Sequence, residues 1–163
     1  MGSHVTNWNR RASVKFRTDV CSSCKLGFDI DLKSLSENDY KFVQQAVKNY
    51  NDLKPVILEG DQYRLVSPYE TDHCAINYVS KDKQRAVLFA YDLHPRYKEP
   101  PMNVRLQGLD SMKVYTVRET NLMPGAKSHL ECNGKQYSGD YLMKIGLNVL
   151  TANEGSSRVL VLE

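Results

Sequence analysis

No uninterrupted apolar run in this sequence approaches the roughly 18 residues that a membrane-spanning helix requires. The first residues also lack the charged and apolar regions of a secretory signal peptide. The sequence also lacks a large excess of either charge. It has 22 lysines and arginines and 19 aspartates and glutamates, so the net charge is only +3. The basic side chains are scattered along the chain rather than clustered. We therefore expect neither a membrane nor a nucleic acid as a partner.

Cysteine is too rare to build a disulfide framework in a chain of 163 residues. The four cysteines are Cys21, Cys24, Cys74 and Cys132. The first two form a C-x-x-C pair, which could bind zinc if His73–Cys74 or His129–Cys132 completed the ligand set. Because no second C-x-x-C pair exists, the pattern favours small buried apolar thiols over a metal centre. We expect no metal and no cofactor.

What is present is the composition of an ordinary soluble globular protein, with 41% apolar and 25% charged residues. A chain of this length can bury roughly 70% of its unfolded surface, which is enough for a hydrophobic core. The periodicity of the apolar residues changes once, near residue 58. Helical spacing precedes that point, and short strand-like runs follow it.

The first 57 residues predict two helices. In the longer one, apolar residues recur every three to four positions and fall on one stripe: Phe42, Val43, Ala46, Val47, Tyr50 and Leu53. Ser34 and Glu37 have the spacing of a capping box, which predicts that this helix begins there. Pro55 predicts its end, because the residue before a proline is pushed out of helical geometry. A shorter helix is predicted over residues 15–25, stopped by Gly27.

Beyond residue 58 the sequence consists of short runs rich in β-branched and aromatic residues, separated by turn signals such as NGK and NEGSS. Strands are predicted at Gln62–Val66, Ala75–Val79, Ala86–Asp92, Met102–Gln107, Lys113–Glu119, Lys135–Tyr137, Tyr141–Ile145 and Arg158–Leu162. The predicted fold class is therefore mainly β, an antiparallel β-sandwich of about eight strands preceded by two helices. The helices are too few to form a domain, so their apolar stripe must be buried against the β part or against something absent from this chain.

Several stretches, taken in order, resemble one known family. They are GSHVTNW, FRTDV, KLGFDIDL, LKPVILEGDQYRLVSPYE, AVLFAYDLHPRY, RLQGLD and YSGDYLMKIGLNV. They are similar to the C-terminal part of the melibiase-type α-galactosidases, the glycoside hydrolases of family thirty-six. The resemblance runs from about Gly2 to the end of the chain, and the sustained order is more specific than any single stretch.

This resemblance implies a division of the chain and a set of partners. Residues 1–57 would correspond to the C-terminal end of a (β/α)8 catalytic barrel, with its last strand and closing helices. Residues 58–163 would correspond to a C-terminal antiparallel β-sandwich domain. The implied partners are the rest of the parent α-galactosidase, an α-galactoside substrate bound through that parent, and further copies of it in a homo-oligomer.

The family hydrolyses terminal α-linked galactose with retention of configuration, through an aspartate nucleophile and an aspartate acid/base. Both belong to barrel segments upstream of the resembling region. The nucleophile lies in a motif rich in tryptophan and aspartate, and the single tryptophan of this chain, Trp8, does not match it. The resemblance thus implies no catalytic residue in this chain, which we expect to be structural and inactive alone.

The alternative function is a non-catalytic carbohydrate-binding β-sandwich module. Such a module needs exposed aromatic side chains on one face, and a single tryptophan gives this little support. The stretch DLHPRY sets His94 and Arg96 beside Tyr91 and Tyr97, which could form a sugar-stacking platform. A proline turn between two strands explains the same residues, and we favour that interpretation.

Two sets of polar residues are candidates for a site. Asp29 and Asp31 would share one face of a strand and could form a catalytic pair of carboxylates. By the resemblance they match a connection between helices, where acidic residues are favoured by free N–H groups, so a structural role is preferred. GSHVTN resembles the end of the last barrel strand, where the chemistry of such barrels lies. His4 and Asn7 are therefore the candidate substrate-binding residues.

Overall fold

The computed structural model describes residues 12–95, 102–150 and 153–163, together with the backbone of residues 4–6. In chain order the elements are β1 (His4–Thr6), α1 (Val14–Ser22), β2 (Gly27–Asp29), α2 (Glu37–Glu59), β3 (Asp61–Val66), β4 (His73–Val79), β5 (Ala86–Asp92), β6 (Val114–Thr120), β7 (Gln136–Ser138), α3 (Gly139–Lys144) and β8 (Ser156–Leu162). Within these ranges, none of the helices combines the length and the apolarity needed to cross a membrane.

Six strands form one antiparallel sheet in the order β3-β4-β5-β8-β6-β7. β5 lies between β4 and β8, and all seven of its residues are buried. Six of the predicted strands are found within two residues of their predicted bounds. The predicted fold class, mainly antiparallel β preceded by two helices, is confirmed.

Both faces of the sheet are covered. Successive residues of β5 point to opposite faces, and the residues on both sides are buried. Leu88 belongs to a core in which the sheet packs against α3, through Leu142, and against neighbouring loops. Val87 and Phe89 belong to a second core, in which the sheet packs against α2 through residues such as Leu53. The helical segment therefore lies on one face of the sheet. The other face is covered by α3 and by the loops that carry residues such as Val104, Leu106 and Val149.

The predicted apolar stripe of α2 is confirmed except at Val47, which is only half-buried. The buried residues of α2 are Phe42, Val43, Ala46, Tyr50, Leu53, Val56 and Ile57. The predicted beginning of the helix is wrong by two residues, because Ser36 is the N-cap and its hydroxyl accepts from the backbone N–H of Asp39 at 3.1 Å. Ser34 instead closes a 3-10 turn, where its backbone N–H donates to the carbonyl of Asp31. The Ser-x-x-acid spacing occurs twice here, and the second instance caps the helix.

The predicted end of α2 at Pro55 is also wrong, since the helix continues through Pro55 to Glu59. A proline inside a helix lacks the N–H that would bond to the carbonyl four residues earlier, here that of Asn51. Asn51 and Pro55 are both exposed, so water can satisfy that carbonyl. Burial of Val56 and Ile57 against the sheet keeps the last turn helical.

The first part of the chain is a strand–helix–strand–helix unit. β1 and β2 run parallel, with His4 opposite Gly27 and Thr6 opposite Asp29. α1 makes the crossover between them, as parallel strands require. The sequence interpretation placed only one strand here and extended the first helix to residue 25, so it missed β2. Three residues are too few to show an alternating pattern.

Two strands predicted in the β part are wrong. Tyr141–Ile145 is helical, because Ser138 caps α3 by accepting from the N–H of Tyr141 at 3.2 Å and Gly146 follows it at φ +81°. Met102–Gln107 forms only an isolated bridge, between Val104 and Leu147. Val104 is nevertheless fully buried, so the segment packs on the sheet without joining its ladder.

Candidate functional site

The carboxyl ends of β1 and β2 meet at one edge of their two-stranded sheet, where Thr6 pairs with Asp29. In (β/α)8 barrels this edge carries the chemistry. His4 lies in β1 at the opposite end of the pairing, opposite Gly27, and only its backbone is described. Asn7 lies outside the described residues. Substrate contacts from His4 and Asn7 therefore remain predictions.

Asp29 and Asp31 occupy different positions at this edge. Asp29 is the last residue of β2 and is exposed. Asp31 caps the 3-10 turn over Leu32–Ser34, where its Oδ1 accepts from the N–H of Lys33 at 2.9 Å. This geometry fits the expected structural role of an acidic residue at the start of a helix. Both side chains are exposed, and Asp29 is the one that lies at the carboxyl edge itself.

Among the described residues, an extensive network of buried hydrogen bonds surrounds Asp19, in the middle of α1. Its side chain is fully buried. Oδ2 accepts from Lys15 Nζ at 2.5 Å and from Ser157 Oγ at 2.7 Å, and Oδ1 accepts from Asn121 Nδ2 at 2.9 Å. The backbone carbonyl of Asp19 accepts from the hydroxyl of Tyr91 at 3.0 Å. This one residue thus joins α1 to β5, to β8 and to the loop after β6.

Asn121 extends the cluster to α2. It adopts φ +53°, a left-handed conformation that asparagine tolerates better than most residues. Its Oδ1 accepts from Asn49 Nδ2 at 2.7 Å. Burial raises the pKa of Asp19, and this effect outweighs the positive charge of Lys15 and the three hydrogen bonds. Both carboxylate oxygens of Asp19 and the amide oxygen of Asn121 accept hydrogen bonds from protein groups. We therefore interpret the cluster as a structural connection between the two helices and the sheet.

A second buried polar group lies where β4 begins and β5 ends. His73 Nδ1 is 2.8 Å from Asp92 Oδ1, and Ser156 Oγ donates to Asp92 Oδ2 at 2.8 Å. These are the residue types of a hydrolytic triad, but in a triad the serine bonds to the imidazole. Here the serine hydroxyl donates to the carboxylate, an arrangement that differs from that of a triad. The group ties together the ends of three paired strands.

The other residues singled out in the sequence are dispersed. Tyr91 is buried and bonds to Asp19, so it cannot belong to a surface platform with His94. Arg96 and Tyr97 lie outside the described residues, and His94 pairs with Glu154 at 3.0 Å. Among the residues that the structure describes, no group of three or more histidine, cysteine, aspartate or glutamate side chains could hold a metal.

Sequence reasoning missed the Asp19 cluster. Its partners Asn121 and Ser157 are 102 and 138 residues away along the chain. One signal was available, because Asp19 lies between the apolar residues of a short helix, where an acid must be either exposed or paired. Nothing in the local pattern identifies the partners.

Comparison with known proteins identifies the family to which this chain belongs. The model of the glycosyl hydrolase family 36 C-terminal domain matches residues 73–162, more than half of the chain. A probable α-galactosidase C of Aspergillus flavus is 31% identical over 169 residues, covering 100% of this chain and 21% of that protein.

Solved structures agree with this match. The crystal structure of the α-galactosidase AgaA from Geobacillus stearothermophilus has a TM-score of 0.84 and 29% identity, covering 100% of this chain and 22% of that one. A variant of AgaA in complex with raffinose also gives a TM-score of 0.84, at 28% identity and the same coverage. This chain thus spans about a fifth of the length of the relatives it matches. It belongs to glycosyl hydrolase family 36 and corresponds to the C-terminal portion of the α-galactosidases of that family.

Proposed function

We propose that this chain is the C-terminal portion of an enzyme that hydrolyses terminal α-linked galactose from oligosaccharides with retention. Residues 1–57 are then the end of its (β/α)8 barrel, and residues 58–163 are its C-terminal β domain. The observation that carries the proposal is the match of the whole chain, in sequence and in fold, to α-galactosidases.

The strand–helix–strand–helix unit supports the barrel assignment. Parallel strands occur almost only in sheets that helices cover, and a parallel pair of three-residue strands is far too small to be stable alone. β1 and β2 pair only with each other among the described strands, so each has one edge available for another parallel strand. A barrel supplies such neighbours on both sides.

An apolar groove beside β2 supports the same assignment. It has a volume of about 440 Å³ and lies between Phe28 of β2, Leu32, and Tyr40, Val43 and Val47 of α2. Leu32 and Tyr40 are 46% and 41% exposed. We propose that this groove receives a helix from the upstream part of the parent barrel, next to the strand that pairs with β2.

The β domain has a structural role in this proposal. The Asp19 cluster and the second core fix α1 and α2 against β4, β5 and β8. The sheet would thereby brace the last two strand–helix units of the barrel. Because a retaining glycosidase needs both a nucleophile and an acid/base, and we place both upstream, the isolated chain is expected to be inactive.

Incubation with an aryl α-galactoside tests the proposal in two arms. The isolated chain should release no aryl alcohol. A hybrid enzyme in which this chain replaces the matching C-terminal portion of AgaA should retain turnover, whereas AgaA truncated at the same junction should not. Turnover by the isolated chain that a substitution within it abolishes would contradict the proposal, as would a truncated AgaA with full activity.

The substrate contacts are tested in the full-length parent. If His4 or Asn7 binds the sugar, His4→Ala or Asn7→Ala should raise KM for an α-galactoside. Asp82→Ala, in the hairpin between β4 and β5, is the matched control and should leave KM unchanged. Unchanged kinetics in both test variants would remove these residues from the site.

One observation favours the carbohydrate-binding alternative. Tyr137 and Tyr141 stack with ring centroids 5.3 Å apart at 23°, and Tyr141 is 42% exposed. An exposed aromatic face is the kind of surface on which a sugar ring packs. Titration of the chain with galactose or raffinose should then give saturable binding that Tyr141→Ala removes. Tyr69→Ala, which changes a fully exposed tyrosine elsewhere, serves as the control.

A further inference from the structure

The C-x-x-C pair is the one sequence motif to which the proposed function gives no role. Cys21 lies in the last turn of α1, and Cys24 lies two residues beyond the end of that helix. The backbone N–H of Cys24 donates to the carbonyl of Cys21 at 3.1 Å. A turn closed in this way keeps its first and last α-carbons within about 7 Å. Disulfides join α-carbons that are about 4.4–6.8 Å apart, so this turn has the reach for one.

The two thiols differ in access. Cys24 is exposed, whereas Cys21 is 5% exposed, and neither takes part in a disulfide in this structure. A reagent in solution therefore meets Cys24 first. Burial raises the pKa of the Cys21 thiol, and the neighbouring Cys24 raises it further. Cys21 is therefore the less reactive thiol of the pair, and we expect it to react second.

The main chain of this turn is held from two sides. The hydroxyl of Tyr50, on α2, donates to the carbonyl of Cys24 at 2.9 Å. The hydroxyl of Tyr78, on β4, donates to the carbonyl of Ser23. These contacts anchor the backbone between the two cysteines to α2 and to the sheet. They keep both thiols on the same turn while leaving the side chain of Cys24 in solvent.

We propose that Cys21 and Cys24 form a redox-active dithiol, which a small-molecule disulfide such as oxidised glutathione converts to an intramolecular disulfide. The Cys24 thiolate attacks one sulfur of the oxidant, forming a mixed disulfide and releasing one thiolate. Cys21 then loses its proton to solvent and attacks the Cys24 sulfur, forming the Cys21–Cys24 bond and releasing the second thiolate. Two protein thiols are oxidised and one small disulfide is reduced to two thiols.

The site lies away from the edge that we assign to substrate. Cys24 precedes the amino end of β2 by three residues, whereas Asp29 and Thr6 mark the carboxyl edge. Oxidation would therefore affect the turn after α1 and its contacts with α2 and the sheet, and would leave the carboxyl edge of β1 and β2 intact. This inference is independent of the α-galactosidase proposal, because it needs only the isolated chain.

The test uses the full chain with Cys74→Ser and Cys132→Ser, so that only the pair remains. After incubation with oxidised glutathione, intact mass spectrometry should show the loss of two hydrogens, and peptide mapping should join Cys21 to Cys24. In the same background, Cys21→Ser should stop at a mixed disulfide with one glutathione, and Cys24→Ser should react far more slowly. The rate should rise with pH, because a thiolate attacks.

Three results would overturn the proposal. The first is no reaction while a denatured sample reacts. The second is a mixed disulfide that persists although Cys21 is present. The third, in the chain with all four cysteines, is a bond mapped between Cys24 and Cys74 in place of Cys21.

Discussion

Replacing Asp19 by alanine should strongly destabilise the fold, although this residue lies outside any substrate site. The change removes the acceptor of three hydrogen bonds at once, those from Lys15, Asn121 and Ser157. It also leaves the ammonium of Lys15, whose side chain is largely buried, without its ion pair. The cost arises from buried donors left without acceptors.

The size of the effect follows from these contacts. Breaking a buried ion pair by removing one partner costs about 3–5 kcal/mol. Leaving a buried neutral donor unsatisfied costs about 1–3 kcal/mol. These costs overlap within one cluster, and Lys15 keeps some access to water. We therefore expect Asp19→Ala to lower the free energy of unfolding by about 3–5 kcal/mol.

Urea unfolding followed by circular dichroism measures this loss for the isolated chain. Asp19→Asn keeps the shape and one acceptor but loses the charge that pairs with Lys15, so its cost should lie between that of Asp52→Ala and that of Asp19→Ala. Asp52→Ala is the matched control, because Asp52 also pairs with a basic residue, Arg85, but on the surface. It should change stability by no more than about 1 kcal/mol. If Asp19→Ala is no worse than Asp52→Ala, the cluster does not stabilise the fold and the reasoning is wrong.

The stability difference between the wild type and Asp19→Asn should depend on pH in a defined direction. Burial raises the pKa of Asp19 above its ordinary value of 3.8, so the folded state holds this proton more tightly than the unfolded state does. The contribution of Asp19 to stability therefore falls as pH rises from 3.8 through the raised pKa. Asp19→Asn lacks this titration. The stability difference between the wild type and Asp19→Asn should shrink across that window, and a difference that grows would contradict the assigned direction.

The remaining predictions concern single contacts. Tyr50→Phe removes the hydrogen bond to Cys24 and should cost about 1 kcal/mol in urea unfolding; no loss would mean that water replaces it. Gly60→Ala would place a β-carbon 2.5 Å from the carbonyl oxygen of Val79, and the forced shift should cost about 1–3 kcal/mol in urea unfolding; an unchanged midpoint would contradict this close approach. Leu32→Ser with Tyr40→Ser should leave the urea midpoint of the isolated chain nearly unchanged but reduce soluble hybrid enzyme, and equal yields would exclude the groove as a docking surface.

Local patterns predicted the elements whose own side chains decide their conformation. The stripe of α2 and the apolar run of β5 follow from helical spacing and from a β-branched, aromatic composition. The resemblance to α-galactosidases likewise rested on the order of short stretches, and the comparisons confirmed it. These are properties of neighbouring residues, which the sequence displays directly.

Other features depended on contacts that the sequence does not display. Tyr141–Ile145 has an apolar pattern that suits a strand or a helix, and the cap at Ser138 together with burial of Leu142 selects the helix. Pro55 is tolerated because its solvent-facing position lets water bind the unpaired carbonyl. In both cases the surroundings, and not the local preference, determine the outcome.

The sequence by itself thus determined the family, the main strands and the apolar face of the long helix, because each is written in the spacing of nearby residues. Only the tertiary structure brought Asp19 together with Asn121 and Ser157, paired β1 with β2, and placed Cys24 in solvent beside a buried Cys21. The physical reason is that these arrangements follow from burial and from hydrogen bonds between distant segments.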